Sequence, residues 1–128
     1  MNKILVALFL LLAIAGCSFA EKVVFEGNPL YKCSSSYDQD IRDKIEGEAQ
    51  TNHKVIITKD NSGYLWSSRE KKYLEHNLSG IYHYFVNPLG SGYIKITKNE
   101  DGRYSYMEQM TIGLQTITYW GSGNKLDL

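Results

Sequence analysis

Two cysteines, two prolines and three histidines are few for a chain of 128 residues, and its 14 basic residues are balanced by 14 acidic ones. Each shortage closes off a class of protein. Two thiols, Cys17 and Cys33, cannot build the disulfide framework of a small, loop-rich secreted domain. A formal charge of zero with no basic stripe leaves no electrostatic footprint for nucleic acid. Lys71-Lys72 is an isolated pair and reads as a solvated turn. The motifs of hydrolytic, metal and redox chemistry are missing: there is no Gly-x-Ser-x-Gly, no His-Glu-x-x-His and no Cys-x-x-Cys. Gly90-Ser91-Gly92 lacks the lysine of a phosphate loop and reads as a hairpin turn. Glu100 and Asp101 are neighbours in a turn, whereas glycosidase carboxylates face each other across a cleft. His76 and His83 meet only if their strands pair across Asn77–Gly80, and Glu75, the third ligand available there, points to the opposite face. No catalytic residue, metal ligand or cofactor is assigned from the sequence.

There is only one long hydrophobic run, at the start. Met1-Asn2-Lys3 gives a short positive segment, and Ile4 to Ala15 is twelve apolar residues without a break. That length suits a signal peptide and is too short to cross a bilayer of about 30 Å as a helix. The run ends in Ile14-Ala15-Gly16-Cys17, which resembles the lipobox of bacterial lipoproteins. The resemblance implies a signal peptide over residues 1–16 and a diacylated Cys17 as mature N-terminus. It also implies, with Ser18 after the cysteine, sorting to an outer membrane held through the lipid. The competing site, Ser18-Phe19-Ala20, gives cleavage after residue 20 and a periplasmic or secreted soluble protein. Cys33 has no intramolecular partner under either route, so the domain must hold together by burial and sheet hydrogen bonds.

The mature chain reads as mainly β. Residues 17–53 carry the anchor, short strands and one short helix. Glu21–Glu26 is a strand ending at a Gly27-Asn28-Pro29 turn, and Leu30–Cys33 is a second short strand. Ser36 with Gln39 makes a capping-box pattern, and Tyr37, Ile41 and Ile45 recur at helical spacing. Asp38 with Arg42, and Asp40 with Lys44, add i,i+4 pairs, so a helix of about ten residues is expected up to Gly47. Residues 47–53 read as a linker. Residues 54–120 form the antiparallel β core, with strands at Val55–Thr58, Tyr64–Ser67, Tyr73–His76 at an edge, Ile81–Val86 at the centre, Tyr93–Lys98, Arg103–Ile112 and Leu114–Trp120. Residues 121–128 read as a loose tail. The spacing predicts an antiparallel meander of about seven strands, a small barrel or curved sheet with the short helix on one face.

Aromatics are the one surplus, with ten Tyr and two Trp. Tyr64, Trp66, Tyr82, Tyr84, Tyr106 and Trp120 fall on predicted strands and are the candidate binding face. The competing use of the same rings is to fill a small core. The function expected is a non-enzymatic binding or structural module of the cell envelope, whose partner is an envelope protein, a glycan or a lipid. One alternative is an inhibitor of a secreted hydrolase such as lysozyme. Small lipid-anchored inhibitors carry Ser-Gly-x-x-Tyr, but here Ser79-Gly80 is followed by Tyr82 and then His83, one residue out of step, and their disulfide is lacking. The other alternative is a small hydrolase, which needs His83, Cys33 or a carboxylate to converge in a pocket.

Overall fold

The computed structural model describes residues 21–128. The expected signal peptide, Cys17 and the apolar run lie outside the described residues. Nine strands and one short helix follow in order: β1 (Lys22–Ser35), β2 (Asp40–Lys44), α1 (Glu48–Asn52), β3 (Val55–Asp60), β4 (Gly63–Trp66), β5 (Lys72–Ser79), β6 (Tyr82–Val86), β7 (Gly92–Lys98), β8 (Tyr104–Ile112) and β9 (Gln115–Leu126). From β3 to β9 each strand pairs antiparallel with the next, and β9 returns to pair with β1. The result is a closed eight-stranded barrel, with β2 as an extra strand. No described helix is long and apolar enough to cross a membrane.

Closure depends on β1, which is one long strand rather than the two expected. Gly27-Asn28-Pro29 does not turn. The Gly27 Cα lies against the Tyr106 ring, where a Cβ would collide. Pro29, which has no N–H to give, sits between the stretch of β1 that pairs with β3 and the stretch that pairs with β2. A register shift between Val23 and Phe25 lets two successive residues, Val24 and Phe25, both reach the interior.

The predicted helix over 36–46 is a β-hairpin arm instead. β3 leaves β1 at Gly27, so Tyr31–Ser35 would keep an unpaired edge, and β2 fills it. Tyr37 is 98 % exposed and Ile41 47 %, so the apparent apolar face buries only Ile45. The helix forms later, at Glu48–Asn52, inside the expected linker. The tail is likewise ordered: β9 continues to Leu126, Asp127 donates its N–H to the Val24 carbonyl at 2.8 Å, and Lys22 bridges the Asp127 carboxylate. β5 is no edge, being paired with β4 on one side and β6 on the other.

Alternate residues of each strand point inward. Phe25, Ile57, Trp66, Leu74, Phe85, Ile94, Ile96 and Tyr106 make one contiguous core. An eight-stranded barrel is just wide enough for side chains to fill it.

Candidate functional site

Within the barrel, β8 places a carboxylate that is the one fully buried among the described residues. Glu108 is 0 % exposed, and both of its oxygens are engaged. Trp66 Nε1 donates to Oε2 at 2.7 Å, Arg69 Nε to the same oxygen at 3.2 Å, and Arg69 Nη2 to Oε1 at 2.9 Å. Arg69 reaches in from the β4–β5 turn and also lies over the Tyr119 ring at 5.5 Å. The Tyr119 hydroxyl meets His53 Nδ1 at 3.2 Å. Burial raises the Glu108 pKa, opposed by Arg69 and Trp66. Three donors hold the Glu108 carboxylate, so this arrangement ties β4, the β4–β5 turn and β8 together across the barrel.

Beside it a cleft of about 250 Å³ opens between the β4–β5 turn, Ser91 and the end of β8. Ser91 Oγ is buried without a protein partner, so no base activates it. Cys33 is a free, buried thiol whose Sγ contacts Ser35 Oγ at 3.7 Å. Among the described residues no three His, Cys, Asp or Glu side chains gather as metal ligands.

His76 and His83 do meet: Nε2 of the first lies 2.9 Å from Nδ1 of the second. Their planes differ by 13° and their centres are 5.2 Å apart, which fits rings joined end to end by that bond rather than stacked. An N–H···N bond needs at least one neutral ring. Burial, and then His83, holds His76 below its ordinary value. A histidine depressed in the fold gives stability that is present above its unfolded pKa and lost as pH falls through the folded one. The thermal midpoint is therefore expected to fall as pH drops below 6.5, the unperturbed value. His76→Gln should flatten part of that limb, since His53 is depressed as well. An identical pH profile in the variant would refute this origin.

The outside of the barrel holds the more unusual feature. Strand register sets Tyr84 opposite Lys95, Lys95 opposite Met107, Met107 opposite Trp120, and Trp120 opposite Tyr31. These five residues form one row across five neighbouring strands, spanning about 20 Å at the usual strand spacing. Tyr82 stands in the next row, and the Lys95 ammonium lies 4.1 Å from the centre of its ring. Trp120 is 39 % exposed and Tyr31 54 %. Trp120 stands between two shallow clefts of about 210 Å³ each. Tyr82, Lys95 and Met107 line one; Tyr31, Lys32 and Arg42 line the other. Lys95 and Arg42 have no carboxylate partner among the described residues.

The structure thus divides the six aromatic candidates. Tyr64, Trp66 and Tyr106 belong to the core or pack against it. Tyr82, Tyr84 and Trp120 lie outside and belong to one surface. Sequence reasoning missed Tyr31, Lys95 and Met107. The phase of Tyr93–Lys98 and Arg103–Ile112 puts Lys95 and Met107 outward, but only the pairing aligns them, and nothing local joins Tyr31, on the expected short strand Leu30–Cys33, to the β core. Ser79 and Gly80 lie in the exposed β5–β6 turn. Comparison with protein-family models, curated proteins and solved structures finds no match to this chain.

Proposed function

We propose that the chain is an exported cell-envelope protein, held at a membrane by a lipid on Cys17, whose outer aromatic row docks a protein partner. The observation that carries the binding half is the row itself. Tyr84, Met107, Trp120 and Tyr31 are placed outside a closed barrel whose core is already filled. Contiguous exposed apolar surface favours an interaction site. Tyr, Trp, Met and Arg are the residues enriched at the centres of protein interfaces. Trp120, flanked by two clefts, has the setting of an anchor residue, and Lys95, without a carboxylate partner among the described residues, fits an acidic group on the partner's rim. The anchoring half rests on the apolar run ending in Ile14-Ala15-Gly16-Cys17.

The test uses the full-length protein in its own envelope, with a photo-crosslinking residue at Gln109, beside Trp120. A discrete adduct is expected. Trp120→Ala should reduce it at least tenfold while the protein stays with the membrane. Cys17→Ser should release the protein into the soluble fraction and abolish the acylated mass. An adduct indifferent to Trp120→Ala sinks the docking face, and membrane retention unchanged by Cys17→Ser sinks the anchor.

A further inference from the structure

β1 gives one edge to β9 and divides the other between β3, at Lys22–Gly27, and β2, at Tyr31–Ser35. β2 has no second neighbour among the described strands, and all five of its residues are exposed. The phase of its backbone follows from one bond: Ile45 donates to the Leu30 carbonyl at 2.8 Å. Residues bonded to a given neighbour alternate along an antiparallel ladder. Ile45, Asp43 and Ile41 therefore direct their N–H and C=O groups to β1. Asp40, Arg42 and Lys44 turn theirs to the open edge.

An open edge is a template for another strand, and charges on it usually keep other chains away. β2 is charged at Asp40, Arg42, Asp43 and Lys44, but the signs alternate so that the strand complements itself. Lay it antiparallel on a second copy with Ile41 opposite Ile41. Asp40 then faces Arg42 of the second copy and Arg42 faces Asp40, while Asp43 and Lys44 run past the other copy's hairpin turn at residues 36–39. Every facing pair of charges is opposite in sign. Centring the pair on Arg42 would satisfy the same backbone groups and set Asp40 opposite Lys44, but it would drive one guanidinium against the other at the centre. The charges complement a second copy, and the like-charge contact at Arg42 favours the register centred on Ile41.

We propose that two copies of this chain pair edge to edge through β2, antiparallel and centred on Ile41. The two-fold axis of such a pair is perpendicular to the sheet, so each copy keeps the same face outward. Tyr31 and Trp120 lie on the first and second strands in from β2, so the dimer sets two aromatic rows on one continuous surface. One short strand per copy buries little area, which makes the association weak, with Kd on the order of 10–100 µM.

Sedimentation of the full-length chain should show a concentration-dependent dimer. Arg42→Asp sets like charges opposite each other and should weaken it at least tenfold. The double swap Asp40→Arg with Arg42→Asp restores the opposite pairing and should restore the dimer. Register is read independently. Ile41 meets its equivalent as a non-hydrogen-bonded pair, with Cα atoms about 4.5 Å apart, within disulfide range. In a Cys33→Ser background, needed because Cys33 stands opposite position 42 on β1, Ile41→Cys should give a disulfide-linked dimer under mild oxidation, and Arg42→Cys should not. Circular dichroism and the thermal midpoint show that each variant folds. The proposal is overturned by a wild-type monomer at every concentration up to about ten times the highest Kd named, by a dimer indifferent to Arg42→Asp, or by equal crosslinking at positions 41 and 42.

Discussion

Arg69→Ala should lower the unfolding free energy at pH 7 by about 3–5 kcal/mol, the usual cost of stripping one member from a buried ion pair. Glu108 is 0 % exposed in the intact protein, and the variant removes two of its three donors, leaving only Trp66 Nε1. It also takes away the cation that opposes the effect of burial on Glu108. The folded pKa, already raised by burial, must then rise further. A carboxyl raised in the fold contributes stability that is complete below its unfolded pKa and is lost as pH climbs through the folded value. The deficit of Arg69→Ala should therefore be smallest near pH 4.5, the ordinary carboxyl value, and grow toward neutrality. Urea titrations at a series of pH values read this directly. Glu108→Gln should cost less than Arg69→Ala at pH 7, because the charge it strands, the Arg69 guanidinium, is 19 % exposed rather than fully buried, although the new amide NH2 must face one donor N–H. A deficit in Arg69→Ala that does not change with pH would mean that Glu108 is not the group left uncompensated.

Gly121→Ala should destabilise the barrel by about 3 kcal/mol or more, through collision rather than backbone conformation. Gly121 is not in the left-handed region, so alanine suits its backbone. The obstacle is space. A Cβ there would run into the Asn28 carbonyl oxygen of β1 and come 2.7 Å from the Tyr106 ring. One obstacle is backbone and cannot rotate away, and the pairing it would part, β1 with β9, is the one that closes the barrel. Gly102→Ala is the contrast. Its φ is +87°, and nothing lies within 4 Å of the added carbon, so it should cost only the left-handed penalty of about 1–2 kcal/mol. Equal urea midpoints for the two variants would show that the seam tolerates opening.

The strands after Lys54 were legible because their apolar residues alternate and polar turns bound them. Phe85, Ile94, Ile96 and Tyr106 are buried on the phase that alternation gives. Tyr37, Ile41 and Ile45 misled for a physical reason. A spacing of four also fits every second pair of residues in a strand, and the deciding influence was the vacant edge of Tyr31–Ser35, which local sequence does not reveal. Gly27-Asn28-Pro29 misled in the same way, since a glycine required by an aromatic ring looks like a glycine required by a turn. The candidate face was half legible. Ring content marked Tyr82, Tyr84 and Trp120, but only pairing across β6, β7, β8, β9 and β1 brought Lys95, Met107 and Tyr31 into line with them.

By itself the sequence determined a mainly β domain with antiparallel neighbours in chain order, because period-two burial and turn residues act over a few positions. It also set the charge pattern around Ile41 and the apolar run before Cys17. Tertiary structure decided whether the meander closed, which strand remained at an edge, and which aromatics faced out. Those outcomes depend on backbone groups and on close approaches such as Gly121 to Asn28, between residues far apart in the chain. No local pattern encodes a distance across a barrel.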